Sequence, residues 1–234
     1  MRRCAILRLG LMDYDDALAL QNRLTAARAA PDGIDYLLLV QHPHVFTLGT
    51  SGHETNLVWD EAERARRGVI VRRVDRGGDV TYHGPGQIVG YPIVQLPRPG
   101  EPGFRLGAVD HVRAIETMIS GVIGEFGITG TTIPGLTGVW VETPRGPEKI
   151  CAIGVRVNVR AVTKHGFALN VNTDLTYFTG IIPCGIHDKG VTSLAALLGA
   201  PVDESAVTEA ILRHFARVFA YDELIEVDPA SLSS

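Results

Sequence analysis

At 234 residues, 45% hydrophobic and 21% charged, the chain is long enough to bury a substantial core and ordinary in composition for a globular protein. A net charge of −4 gives no general invitation to nucleic acid, and no apolar run approaches the ~20 residues that a membrane-spanning helix needs. The start is basic, Met1-Arg2-Arg3-Cys4, but Arg8, Asp13, Asp15 and Asp16 interrupt any apolar core there, so it does not read as a signal peptide. Three cysteines without close pairing argue for a reducing compartment. The expectation is one domain over 1–234 in the cytoplasm, with no nucleic-acid or membrane partner.

Taken in order, Cys4 to Leu9 alternates as a first strand. Asp13 then caps a helix running to about Ala30, with Leu18 and Leu24 among its apolar positions, stopped by Pro31 and Gly33. Tyr36 to Val40 and Val45 to Leu48 are strands on either side of a His-Pro-His turn. Trp59 to Arg67 predicts a short helix with Gly68 as its C-terminal glycine. Val69 to Val74 and Ile88 to Leu96 are strands, and a loop follows through Pro97, Pro99, Gly100, Pro102 and Gly103. Leu106 to Phe126 is the clearest helix, with apolar residues at Val109, Val112, Ile115, Ile119 and Val122. Val139 to Val141, the Thr143–Pro147 turn and Lys149 to Val159 predict a hairpin, which Phe167 to Val171 extends. Ser193 to Leu198 and Glu204 to Phe219 are helices. Neighbouring strands without strict βαβ alternation favour an α+β fold, a mixed β-sheet with flanking helices.

Between two of those strands lies Arg76-Gly77-Gly78-Asp79-Val80-Thr81-Tyr82-His83-Gly84-Pro85-Gly86-Gln87. Four glycines and a proline exclude a helix, yet the segment carries an arginine, a tyrosine and a histidine. Either it is a tight loop with incidental polar residues, or it is the wall of a binding site, where glycine admits close approach and the polar groups give directed contacts. Cys184, between Pro183 and Gly185, is either a small buried hydrophobe or a thiol lifted out of regular structure. Lys149 opens an apolar strand, where an ammonium is costly to bury; it is either exposed after the turn or held inside for a reason. Arg64, Arg66, Arg67, Arg72, Arg73 and Arg76 make a basic cluster, read as a solvated face or as a dock for an acidic protein. His42-Pro43-His44 lacks a nearby third ligand and makes a poor zinc site, and Cys184 to His187 lacks the second half of one. Cys151 reads as core, and Cys4 as core or frayed terminus. No phosphate-binding glycine motif is present, and no cofactor or metal is expected.

Five segments in order resemble the octanoyltransferase family: the Arg76–Gln87 run, Gln41-His42-Pro43-His44-Val45-Phe46-Thr47-Leu48-Gly49, Lys149 to Arg156, His165 to Asn172, and Ile182-Pro183-Cys184-Gly185-Ile186. The resemblance spans about Leu7 to Leu198. It implies the fold of the lipoate and biotin protein ligase catalytic domains. It also implies the first step of protein lipoylation: transfer of an octanoyl group from octanoyl-acyl carrier protein to a lysine of a lipoyl domain. The implied acceptors are 2-oxoacid dehydrogenase complexes and the glycine cleavage H protein. The family implies a Cys–Lys dyad, matched here by Cys184 and Lys149. It further implies substrate contacts by Arg76, Gly77, Gly78, Asp79, Val80, Thr81, Tyr82 and His83, by Ala152, Ile153 and Gly154, and by Gly166, Phe167 and Ala168.

A free thiol with an ordinary pKa of ~8.5 is only a few per cent thiolate at neutral pH, so a neighbouring cation or base is expected beside Cys184. Backbone amides near Gly77-Gly78 or at Cys184 are candidate oxyanion donors. His83 and His165 adjoin glycines within the matching segments and are read as pocket walls. Thr50-Ser51-Gly52-His53 lacks the basic character expected at that loop in some relatives. Three other readings compete: an ATP-dependent lipoate ligase, a thioesterase and a non-catalytic carrier-binding module.

Overall fold

The computed structural model describes residues 1–30, 32–97, 107–182 and 189–232. The predicted stop at Pro31, the loop through Pro99 to Gly103, the helix start at Leu106, and Cys184 with its neighbours Pro183 and Gly185 to Asp188 lie outside the described residues.

The strands are β1 (Arg3–Leu11), β2 (Asp35–Gln41), β3 (Val45–Leu48), β4 (Ile70–Arg73), β5 (Val80–His83), β6 (Gln87–Ile93), β7 (Thr131–Ile133), β8 (Leu136–Thr143), β9 (Gly146–Val157), β10 (Thr163–Asn170), β11 (Gly190–Val191) and β12 (Glu223–Glu226). The helices are α1 (Tyr14–Arg28), α2 (Glu61–Arg66), α3 (Ala108–Gly124), α4 (Leu194–Leu198) and α5 (Glu204–Val218). The large sheet runs β12-β1-β2-β6-β10-β9-β8-β7, with β11 added beside β9. Its β12/β1, β1/β2 and β11/β9 pairs are parallel and the others antiparallel, so the sheet is mixed as expected. A separate small sheet, β4-β3-β5, carries the glycine-rich segment's strand.

Successive strand residues point to opposite faces, and the core divides accordingly. Ile6, Leu37, Ile88 and Phe167 face α3 and α5 on one side, while their neighbours Leu7, Leu38, Val89 and Ala168 face α1 on the other. β2 and β6 lie in the middle of the sheet between two helical layers, which is why both read as near-continuous apolar runs. A third cluster, Phe46, Leu48, Val80 and Tyr82 with Phe178 and Ile181, fills the space behind the small sheet.

Several boundaries move for identifiable reasons. Asp13 stands at the start of α1, but its side chain makes no capping hydrogen bond; only its carbonyl accepts from Ala17 N, at 3.0 Å. Asp60, Ser193 and Asp203 do cap α2, α4 and α5 with their side chains. Gly68 follows α2 at φ 66°, the left-handed turn expected of a C-terminal glycine. Val109 is exposed rather than core, and Ile115, Met118, Ile119, Val122 and Ile123 carry the buried face of α3. Cys4 and Cys151 are both fully buried, and burial pushes both thiols well up, so neither is a reactive thiolate. No described helix is long and apolar enough to cross a membrane.

Candidate active site

The loop before β5 is assembled by backbone contacts that only glycine permits. A Cβ on Gly49 would stand 2.3 Å from the Gly78 carbonyl, and one on Gly154 would stand 2.8 Å from the Gly77 carbonyl. Through those gaps Gly49 N, Thr50 N and Ser51 N donate to the carbonyls of Asp79, Arg76 and Gly78, and Gly77 N donates to Val155 O at 3.0 Å. The Gly77 amide is thereby committed to β9 and is withdrawn as an oxyanion donor. Asp79 closes the other side of the loop, accepting from Asn56 Nδ2 at 2.6 Å.

Arg76 is buried, not part of a surface cluster. Its guanidinium donates to the Thr47 carbonyl at 2.6 Å, to Thr47 Oγ1 at 2.9 and 3.2 Å and to Gly77 O at 3.1 Å. Those acceptors offset the cost of placing a cation inside. The remaining arginines of the cluster are also engaged: Arg66 and Arg67 with Glu63, Arg72 with Asp15, Arg73 with Glu54, and Arg64 with the Trp59 carbonyl.

These pieces wall a cavity of about 310 Å³ between the small sheet and strands β6, β9 and β10. Arg76, Gly77, Gly78, Asp79, Val80, Thr81, His83, Lys149, Ala152, Ile153, Gly154, Gly166, Phe167 and Ala168 all line it. Tyr82 is among the residues expected at the substrate, but strand alternation turns it to the opposite face of β5. There it is fully buried, hydrogen-bonded to His44 Nδ1 at 2.9 Å and stacked on Tyr177. Tyr14, Gln87, Tyr91 and Asn170 also line it, as does Val191. Gln87 and Asn170 sit inside the matching segments, whereas nothing in the local pattern marks Tyr14 or Tyr91.

One side of the cavity is backed by polar groups whose proton positions are fixed. Burial holds His42 neutral, pushing its pKa down to about 4. Its Nδ1–H donates to Met12 O at 2.8 Å, so Nε2 is the acceptor for the Tyr91 hydroxyl at 2.8 Å. His44 instead stacks on Tyr177, so the His-Pro-His pair faces two ways and cannot share a metal. Burial also drives His83 well below its ordinary value, with His42 adding to the effect. Gln87 Nε2 donates to the Tyr82 carbonyl at 3.2 Å and to Asn170 Oδ1 at 2.9 Å, which orients its Oε1 to accept from His83 Nδ1–H at 2.8 Å. Asn170 Nδ2 in turn donates to Thr192 O at 2.9 Å, tying the chain to the end of β11. His83 Nε2 is left as an acceptor in the cavity wall.

His165 adopts φ 58°, an uncommon conformation for a side-chain-bearing residue, and its amide is held by Gln21 Oε1 at 2.8 Å. Burial lowers its pKa to about 4, against the opposing pull of Asp75, whose Oδ1 accepts from Nε2–H at 2.8 Å. Burial works to raise Asp75, yet His165 and Lys164 together hold it below the usual carboxylate range.

Lys149 is half-buried in β9, paired on one side with Trp140 of β8 and on the other with Val191 of β11. Its carbonyl accepts from Thr192 N at 3.0 Å, and its Nζ lies 4.7 Å from the centre of the Trp140 ring. The described residues that bracket the Cys184 segment are pinned nearby. Ile182 N donates to Asn56 O at 2.8 Å, and Gly190 pairs with Glu148, the residue before Lys149.

Residues 13–216 match the lipoyl protein ligase A/B catalytic domain family. An octanoyltransferase of Solibacter usitatus is 48% identical over 225 residues, covering 96% of this chain and 96% of that one. The chain belongs to the octanoyltransferase family. An octanoyltransferase of Flavobacterium psychrophilum is 50% identical over 188 residues, covering 79% of this chain and 78% of that one. Family membership makes the chain an octanoyl-transferring acyltransferase of protein lipoylation. Among solved structures, a bi-partite lipoate protein ligase from Thermoplasma acidophilum superposes over all of this chain and 90% of that one, with a TM-score of 0.75 at 16% identity. At that identity the likeness concerns the fold, and it agrees with the ligase-like α+β architecture expected of octanoyltransferases.

Proposed function

We propose that the chain moves an octanoyl group from octanoyl-acyl carrier protein to a lipoyl-domain lysine through a thioester on Cys184, with Lys149 as its partner. The observation that carries this is the largely apolar cavity with Lys149 in its wall, on the strand joined to the chain on the far side of Cys184. If each heavy atom takes roughly the 30 Å³ of a water molecule, an eight-carbon chain needs on the order of 240 Å³. The cavity offers about 310 Å³.

The Cys184 thiolate attacks the donor thioester carbonyl, and the tetrahedral intermediate expels the carrier's thiolate, which takes up a proton. The acceptor amine then attacks the acyl-cysteine, loses a proton and expels Cys184 as thiolate. The product amide is more stable than the thioester, which draws the sequence forward without ATP. Lys149 stabilises the thiolate as an ammonium and, when neutral, accepts the proton of the incoming amine.

The test is an intact mass of the protein after incubation with octanoyl-carrier protein, before and after a lipoyl domain is added. The expected result is one octanoyl group mapped to Cys184 and then passed on. Cys184→Ala abolishes the adduct, and Lys149→Ala slows its formation by about 100-fold or more with folding unchanged. Lack of any adduct, together with modification of the domain by free octanoate and ATP, would refute the thioester route.

A further inference from the structure

Lys149 stands in the cavity wall on β9, and its place there depends on what steadies a long, flexible side chain. A lysine carries several freely rotating bonds, and its ammonium is a compact point charge that water competes for. Three features around Lys149 steady it.

Trp140 is the direct cross-strand partner of Lys149, so the two side chains leave the same face of the sheet. The indole is fully buried, and its Nε1–H donates to the Leu136 carbonyl at 3.2 Å, which fixes the ring plane. Gly138, at φ 125°, lies beneath the lysine stem: a Cβ there would come within 3.4 Å of Lys149 Cδ and Cε and 2.6 Å of the Cys151 carbonyl. The stem therefore meets that position in ordinary van der Waals contact, and it is the Cys151 carbonyl that requires a glycine there. The Gly138 amide donates to Glu116 Oε1 at 3.1 Å, and Glu116, buried on α3, is paired with Arg113. The floor beneath the stem is in this way anchored to the helical layer.

Resting on the Cys184–Lys149 reading, we propose that Trp140 is a positioning residue. Its ring face holds the Lys149 ammonium by a cation–π contact and presents it at the cavity, in a slot whose floor is Gly138. Trp140 itself does not line the cavity, so it acts through Lys149 rather than on the acyl chain. The strand register supplies the proximity, and the hydrogen bond to Leu136 supplies the orientation. Glu116 is the charged group facing this floor from α3, and its carboxylate is occupied by the Gly138 amide and Arg113.

The chain has only three lysines, Lys149, Lys164 and Lys189, so protein labelled with carbon-13 at lysine Cε gives three signals. Lys149→Arg assigns the one of interest. In the wild-type protein the Lys149 ε-protons are expected upfield of the other two, shifted by the ring beneath them. Trp140→Phe keeps a smaller shift, and Trp140→Leu loses it. In octanoyl transfer, Trp140→Leu is expected to lower kcat roughly tenfold with KM for the donor unchanged, and Trp140→Phe to recover most of it. An unshifted Lys149 in the wild-type protein overturns the proposal even where Trp140→Leu does not fold. So does a folded Trp140→Leu variant with wild-type kcat. Wild-type turnover in Lys149→Ala would remove the dyad and the proposal with it. Because the NMR contact is read without turnover, that outcome is distinct from a failure of the contact itself.

Discussion

Acid should weaken this fold through histidines that are buried neutral, and His111 offers the cleanest case. It is 3% exposed, packed edge-on against Phe219, and among the described residues neither ring nitrogen has a hydrogen-bond partner. Burial lowers its pKa to about 4, against a small opposing pull from Asp35, while the unfolded chain titrates near 6.5. Below pH 6.5 the unfolded chain takes up a proton that the folded one refuses. The contribution of His111 to stability is thus present above 6.5 and is lost as pH falls toward 4. Between pH 7 and pH 5 the loss comes to about 2 kcal/mol for this one group. His111→Leu removes the titration and two unpaired polar atoms together, so at pH 7 it should cost less than about 1 kcal/mol or even stabilise. Urea unfolding at pH 7 and pH 5 measures both proteins. The wild type should lose about 2 kcal/mol more than the variant across that interval, because His42, His83 and His165 titrate alike in both. Equal losses would refute the reasoning. His111 lies outside the cavity that holds Lys149, so transfer at pH 7 should be unaltered.

Two further outcomes follow from the geometry. A Cβ on Gly90 would stand 2.2 Å from the Phe167 ring, so Gly90→Ala should push that ring into the cavity. With ~0.8 kcal/mol per methylene, loss of room for two methylenes should shift donor preference from octanoyl to hexanoyl by about tenfold; an unchanged ratio in a competition assay would count against this wall as the chain-length gauge. Glu63→Gln releases Arg66 and Arg67 from their carboxylate partner. It should lower KM for an acidic carrier at low ionic strength and lose that advantage by ~0.15 M salt, where the screening length is about 8 Å; a salt-independent KM would place carrier docking elsewhere.

Sequence patterns reveal the fold best where burial is symmetric. β2 and β6 are sandwiched by helices, so their apolar runs announce them, and α3 and α5 show the 3.6-residue period of helices lying on a sheet. The two-residue β11 and the edge strand β12, Glu-Leu-Ile-Glu, are set by pairing to distant chain rather than by local preference, and no pattern marks them. Nor does strand content reveal that β3, β4 and β5 leave the main sheet to form their own.

At the site, glycines were the readable signal, because close backbone approach leaves no alternative residue. Gly49, Gly77, Gly78 and Gly154 interlock as the Arg76–Gln87 composition suggests. What composition cannot give is direction. Tyr82 shares a strand with Thr81 and His83 yet faces away from them, and Arg76 belongs to an apparent basic cluster yet points inward to Thr47. Each outcome depends on one strand's phase or one side chain's partner, which only the assembled neighbours decide. The same holds for Trp140. In sequence it is one aromatic residue in a strand, nine positions before Lys149. The hairpin register alone lays its ring against that ammonium, and a register slip by one residue would turn it to the other face of the sheet.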